Sequence, residues 1–142
     1  LYMDRLSKEQ RSLNMAKIRS KNTTPEKKVR SILHRIGYRF RIHNQKLPGT
    51  PDIVLPKYKS VIFVHGCFWH GHENCKRATI PKTNHEFWKH KITVNKERDR
   101  LALDSLKKLG YSCLVIWQCE IKNEDMLRQR LIDFLGGINE HR

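Results

Sequence analysis

The stretch Ser60-Val-Ile-Phe-Val-His-Gly-Cys-Phe-Trp-His-Gly-His-Glu-Asn-Cys75 changes character a third of the way along. Its start, Ser60 to Val64, is almost wholly apolar, the mark of a short central strand covered on both faces. From His65 onward, two cysteines, three histidines, a Phe-Trp pair and one acid fall within eleven residues. A buried strand running straight into a chemistry-bearing loop is the reading around which the rest of the chain arranges itself.

Upstream lie two more extended runs, Tyr38-Arg-Phe-Arg-Ile42 and Asp52-Ile-Val-Leu55, separated by the turn-forming Leu47-Pro-Gly-Thr-Pro51. Before them a helix is well signed: Thr24 as N-cap, Pro25 at the first helical position, Val29, Ile32, Leu33 and Ile36 at core spacing, and Gly37 as the stop. Downstream, Thr83-x-x-Glu86 reads as a capping box opening a long helix to Gly110, one face of which carries Trp88, Ile92, Asn95, Asp99, Ala102, Leu106 and Leu109. Cys113-Leu-Val-Ile-Trp117 is another buried strand, and an amphipathic helix spans Asn123 to Leu135. The order helix, three strands, helix, strand, helix predicts an α/β sandwich around a small mixed sheet. The segment Ser7 to Ser20, with Leu13, Met15, Ala16 and Ile18 among basic residues, is helix-compatible but weakly amphipathic, and residues 1–21 read as a basic arm.

At 142 residues with 38% apolar side chains, the chain supports one core, hence a single domain over 1–142. The 29 Lys and Arg against 14 Asp and Glu leave a net charge of +15 spread along the sequence. A polyanion is the natural partner, and nucleic acid fits best because neutralised phosphates release counterions. A basic protein with a solvated lysine face would carry the same charge, so charge names a partner class and no activity. No apolar run approaches the roughly 20 residues that span a bilayer, and no export signal is seen; the expectation is a cytoplasmic protein without a membrane partner.

In a reducing compartment four cysteines are more often ligands or core residues than disulfides. Zinc in structural sites takes four soft or borderline ligands in a tetrahedron. Cys67, His72 and Cys75 supply three from one loop, and Cys119 stands just past a strand end where it can reach that loop. Cys113 shares the parity of Val115 and Trp117 and reads as core. The competing reading is free buried cysteines with incidental histidines.

Pro51-Asp52 opens a strand that is followed by another central strand, the frame in which many magnesium-dependent nucleases place metal-binding acids. In that pattern the second strand ends in an acid, a spacer and a lysine; Phe63-Val64-His65 has neither. Either Pro-Asp is an ordinary turn start, or the missing half is replaced by His65, His70 and a carboxylate from elsewhere. Asp99 is one source, since it shares a helical stripe with Ile92 and Leu106 and a core-facing carboxylate demands a partner; an ion pair with Lys96 or Arg100 is the alternative. Glu26 lies in the first turn of its helix, where the dipole alone would explain it; a catalytic role is the lesser alternative.

Together Pro48-Gly-Thr-Pro-Asp52, Val61-Ile-Phe-Val-His-Gly-Cys-Phe-Trp-His70, Phe87-Trp88, Glu97-Arg-Asp-Arg100 and Val115-Ile-Trp-Gln-Cys119 resemble the very-short-patch repair endonucleases, over about Arg11 to Leu135. The resemblance implies a restriction-endonuclease-like fold, with a mixed sheet flanked by helices, one structural zinc and two magnesium ions. It implies nicking beside the thymine of T:G mismatches left by deamination of 5-methylcytosine. Asp52 then corresponds to the metal-bridging aspartate, Val64 to a magnesium ligand through its backbone carbonyl, and His70 to the catalytic histidine. Glu26, His65 and Asp99 correspond to groups holding metal-bound waters, and Cys67, His72, Cys75 and Cys119 to the zinc ligands. Phe68, Trp69 and Trp88 match aromatics that wedge into the base stack, and Met15 a side chain entering from the opposite groove. The partners implied are double-stranded DNA with a T:G mismatch, bound by a monomer on the bacterial nucleoid, with a functional link to a cytosine-5 DNA methyltransferase and mismatch-repair proteins. The rivals are a zinc-stapled DNA-binding module without catalysis and a general restriction-like nuclease.

Overall fold

A computed structural model describes residues 22–136 of the chain. The expected basic arm over residues 1–21, with Met15, lies outside the described residues. The elements are α1 (Thr24–Arg35), β1 (Arg41–Ile42), β2 (Ile53–Leu55), β3 (Ser60–His65), α2 (His85–Lys108), β4 (Ser112–Trp117) and α3 (Glu124–Gly136), with short 3-10 turns at Pro56–Tyr58, Lys76–Ala78 and Gln118–Lys122.

The sheet order is β1-β2-β3-β4. β1 and β2 are antiparallel, as are β2 and β3, whereas β3 and β4 run parallel from Ser60 opposite Ser112 to His65 opposite Trp117. The sheet is therefore mixed, as expected. Strand alternation sorts its side chains onto two faces. Ile53, Leu55, Ile62 and Ile116 meet Val29, Ile32 and Leu33 of α1 and Leu127, Leu131 and Leu135 of α3. On the other face Val54, Val61 and Phe63 pack with Leu106 of α2, joined by Cys113 and Val115. Each fully buried aliphatic side chain contributes roughly 1.5–3 kcal/mol of transfer free energy, so the first face carries most of the cohesion. The second face carries the site, because His65 and Trp117 continue its parity beyond the apolar residues.

The sequence boundaries needed four corrections. The N-cap of α1 is Thr23, whose hydroxyl accepts the Glu26 N–H at 3.4 Å, and Thr24 is already helical. The first predicted strand shrinks from Tyr38–Ile42 to Arg41–Ile42, since Tyr38 and Phe40 turn to the α1/α3 core instead of pairing. The capping box at Thr83 does not form: α2 starts at His85 after Asn84, which sits in the left-handed region with no side-chain cap. Leu109, placed on the buried stripe, is 52% exposed, because the helix ends at Lys108 and the stripe leaves the sheet.

Two glycines fix how the loops meet α2. A Cβ on Gly49, at φ +74, would come within 2.7 Å of the Ala102 Cβ; one on Gly71, at φ +61, would come within 2.8 Å of Ile92 Cγ2. Both loops approach the helix closely only because these side chains are absent. Among the described residues, no helix is long and apolar enough to cross a membrane.

Candidate functional site

At the carboxyl ends of the parallel pair β3 and β4, where open α/β sheets leave a crevice, lies a cleft of about 930 Å³. Glu26, Asp52, His65, His70 and Asp99 all line it. Asp52 arrives from the residue before β2 and is held by β3, its Oδ2 accepting the Val64 N–H at 2.6 Å. Burial pushes its carboxyl up to about 6 in spite of that hydrogen bond, and the nearby Glu26 charge pushes the same way. A carboxylate so placed is relieved by a cation.

His65, the last residue of β3, stacks on His70 with ring centroids 3.8 Å apart and planes 4° from parallel. Burial, helped by the His70 charge, lowers its pKa to about 3, so it is a neutral imidazole at ordinary pH. Its Nδ1 is buried and has no hydrogen-bond partner among the described residues, an unpaired group that an ordered water would satisfy. His70 Nδ1 meets Asp99 Oδ2 at 2.6 Å. With Nδ1–H donated to the carboxylate, Nε2 is left as the basic nitrogen. The alternative pairing of Asp99 with Lys96 or Arg100 does not occur: Lys96 reaches Glu73 at 2.7 Å, and Arg100 pairs with Glu97 and Asp104.

Glu26 is 5% exposed, so the helix dipole alone does not account for it. Arg30 Nη2 donates to its Oε2 at 2.8 Å, and His43 Nε2 lies 3.0 Å from the same oxygen. Donor atoms of Glu26, His43 and Asp52 all fall within 4.8 Å of one another. His43 and Arg30 are residues that sequence reasoning missed. A lone histidine just past a short edge strand carries no periodic signal, and Arg30 reads as one of many surface cations; the only hint was that Arg30 stands four residues after Glu26.

The cysteine cluster forms as expected. The ligand atoms of Cys67, His72, Cys75 and Cys119 lie within 4.8 Å of one another, drawn from the loop after β3 and from the turn after β4. Cys119 Sγ is 3.5 Å from His72 Nδ1, and the His72 ring stacks on Trp117 at 4.1 Å. Burial pushes the Cys67 thiol up to about 12, with the neighbouring thiols adding to the rise. Three sulfurs and one imidazole nitrogen converging to this spacing fit a tetrahedral zinc, which binds thiolates. Cys113 stands apart, its Sγ 3.9 Å from the Tyr111 carbonyl oxygen.

The aromatic set is gathered, with Trp69 and Trp88 buried and Phe68 half-buried on the cleft wall. Phe68, Trp69 and Trp88 meet edge to face with centroids 5.6–6.0 Å apart, and Phe87 joins Trp88 at 4.9 Å. Trp69 is 4% and Trp88 2% exposed, whereas Phe87 is 45% exposed and Lys91 lies over both Trp69 and Phe87. Asn95 Nδ2 donates to the Trp69 carbonyl at 3.0 Å, tying the loop to α2. The Trp88 indole N–H is buried without a partner among the described residues.

Among known proteins, residues 3–77 match the family described as DNA mismatch endonuclease Vsr. The type II nicking enzyme V.XorIIP of Xanthomonas oryzae pv. oryzae is 51% identical over 132 residues, 93% of this chain and 96% of that protein. The type II nicking enzyme V.NmeAIP of Neisseria meningitidis is 48% identical, covering 90% of this chain and 91% of its own. The DNA mismatch endonuclease Vsr of Escherichia coli is 40% identical over 135 residues, 92% of this chain and 86% of its own.

Proposed function

This chain belongs to the DNA mismatch endonuclease Vsr family and is a DNA endonuclease, and we propose that it nicks one strand on the 5′ side of the thymine in T:G mismatches by magnesium-dependent hydrolysis. The observation that carries the reading is the convergence of Glu26, Asp52, His65, His70 and Asp99 on one cleft. When bound at the Asp52 carboxylate and the Val64 carbonyl, magnesium would supply Lewis-acid stabilisation of the charge developing on the phosphate oxygens.

The chain's own groups do the rest. Asp99 fixes the tautomer of His70 through the 2.6 Å contact at Nδ1, so that Nε2 faces the substrate as proton acceptor or donor. A water oxygen forms the new bond to phosphorus while the bond to the leaving sugar oxygen breaks, and His70 moves a proton at one of these oxygens. The flat stack with His65 prevents the imidazole from turning away. Glu26, and the free edge of His65, hold waters beside Asp52. Cys67, His72, Cys75 and Cys119 bind a structural zinc that fastens the loop carrying His70, within a restriction-endonuclease-like domain.

Phe68, Trp69 and Trp88 meet the mismatched step, opened from their mutual packing by the DNA itself, and Met15 enters from the opposite groove. Unstacking costs a few kcal/mol per step and a mismatched pair is cheaper to open, so the wedge discriminates. The setting is the bacterial cytoplasm, where a monomer acts on DNA that a cytosine-5 methyltransferase has modified, alongside mismatch-repair proteins.

The test is a nicking assay on T:G and fully paired duplexes with magnesium, using the intact chain and Asp52→Ala. Nicking confined to the T:G duplex and lost in the variant is expected. Equal cutting of paired duplex would instead indicate a general nuclease, and duplex binding without a nick a zinc-stapled binding module.

A further inference from the structure

Arg30 and His43 lie beside the cleft with no part in the chemistry described above, yet both are directed at one atom. Three nitrogens reach Oε2 of Glu26: the Asn22 N–H donates at 3.1 Å, Arg30 Nη2 donates at 2.8 Å, and His43 Nε2 lies at 3.0 Å, donating in the tautomer that carries its proton there. Among the described residues none reaches Oε1. A guanidinium that served only to neutralise a buried acid would grip both oxygens with its fork. Among the described residues Arg30 instead reaches the acid through Nη2 alone, shared with Asn22 Oδ1 at 3.0 Å and 3.4 Å from His43 Nε2, and its buried Nε has no partner. That arrangement is poor as a salt bridge and effective as a pin, because it fixes one oxygen and leaves the lone pairs of the other uncommitted.

His43 adds a second link. Its backbone stands in the left-handed region at φ 49, uncommon for any residue but glycine, and its N–H donates to the Asp52 carbonyl at 3.1 Å. One residue thus bonds the segment that carries Asp52 through its main chain and Glu26 through its ring. A metal held jointly by Glu26, His43 and Asp52 is disfavoured, since His43 Nε2 is already engaged with Glu26 Oε2 at 3.0 Å and the Arg30 guanidinium stands on the same oxygen.

We propose that Arg30 and His43 are positioning residues for the nicking reaction, pinning Oε2 of Glu26 so that Oε1 is aimed into the cleft beside Asp52. The proposal rests on Glu26 being a water-holding group of the site. With Oε1 fixed, the water it holds stays at one place and orientation through turnover. Without the pin the flexible glutamate samples several rotamers.

The experiment is nicking kinetics on a T:G duplex with magnesium, comparing the intact chain with His43→Ala, His43→Gln, Glu26→Ala and the Glu26→Ala/His43→Ala pair. Loss of an orienting partner of this kind costs roughly 10–100-fold. His43→Ala is expected to lower kcat by that order, leave KM for the duplex nearly unchanged and raise the magnesium concentration for half-maximal rate. His43→Gln, which restores an N–H donor, recovers most of the loss. In the absence of Glu26, removing His43 has no further effect. Should His43→Ala not fold, Arg30→Met gives the same readings against Glu26→Ala. A wild-type kcat in His43→Ala, or losses that multiply in the pair, would overturn the proposal. Full activity of Glu26→Ala would overturn it in a different way, by removing Glu26 itself from the site, and loss of nicking in Asp52→Ala still tells the wider reading apart.

Discussion

The loop after β3 feeds two clusters that share its backbone and are built on opposite plans. Cys67, His72, Cys75 and Cys119 turn their donors toward one another and close on a single point. His65, His70 and Asp99 stack and pair in a row whose far side opens on the cleft. A closed four-donor set has no coordination position to spare for a substrate, and an open row has no internal closure to hold it together. The two lie within a few residues of each other, so that on the proposed reading a metal held by the first would lend rigidity to the second. Chemistry sits where lone pairs are left over, and stiffness where none are.

The largest break in that comparison comes from Asp52, which belongs to the open side. Asp52→Ala removes the carboxylate that Val64 N–H holds at 2.6 Å over the cleft. Nicking of a T:G duplex is expected to fall roughly a thousandfold, the upper order for loss of one preorganised electrostatic group at a reacting centre. Zinc content stays as it was, while any shift in melting temperature is confined to the loss of the buried carboxylate and of its Val64 N–H bond. A variant that lost zinc together with activity would show that the two clusters are one unit.

The reciprocal break is Cys75→Ser. It removes one of four donors from the closed cluster and none from the cleft, yet both properties are expected to suffer. Metal binding is part of the folding free energy of such a site, and the melting temperature is expected to fall on the order of 10 °C, as a loss of a few kcal/mol does in a domain of this size. Nicking declines because His70 loses its footing; calorimetry and the nicking assay, run side by side, read the two effects. Unchanged melting would leave the cysteines as incidental neighbours.

What was legible in the sequence follows the same division. The closed cluster could be read because three of its ligands, Cys67, His72 and Cys75, are close in sequence and Cys119 marks the end of a recognisable strand. The central strands were legible because Val61 to Phe63 and Leu114 to Ile116 are continuous apolar runs. The open site was legible only in part. Asp52 and His70 stood out through motifs, but Asp99 was ambiguous, since helical periodicity gives a direction and no partner. His43 could not be found at all: its meeting with Glu26 depends on a left-handed residue after a two-residue strand. The wedge role of the aromatic residues came from the resemblance alone, and in the free chain Trp69 and Trp88 pack on one another. Caps failed where a left-handed Asn84 started the helix in place of the expected box.

Acid sharpens the contrast within the open site, because two of its groups, Asp52 and His65, respond to pH with opposite sign. In protein without added magnesium, burial raises the Asp52 pKa from 3.8 to about 6, so the folded chain binds more protons there than the unfolded one between those values. Stability on this account falls as pH rises through that window. For His65 the pKa drops from 6.5 to about 3, so the unfolded chain binds the extra proton and stability falls as pH goes below 6.5. The two slopes oppose each other between about pH 4 and 6. His65→Gln removes one of them: urea unfolding at pH 7.5, 5.5 and 4.5 is expected to show the variant gaining on the wild type as pH falls. A difference that stays constant with pH would mean that His65 is not held neutral by burial.

The smallest expected effect belongs to the cysteine that stands outside both clusters. Cys113 lies on the α2 face of β4, packed beside Val61, Phe63 and Leu106, and among the described residues its thiol has only the distant contact with the Tyr111 carbonyl. Burial raises its pKa, with the Lys107 charge opposing, so it is a neutral thiol acting as a small apolar group. Cys113→Ser exchanges sulfur for a smaller hydroxyl that can still donate to the same carbonyl, so the cost is expected at about 1 kcal/mol or less. Zinc remains at one per chain and the nicking rate is unchanged, as measured by metal analysis and the T:G assay. Loss of zinc in this variant would mean that the closed cluster recruits a donor from the sheet interior, and that the stiffness of the loop comes from β4 itself rather than from the turn that follows it.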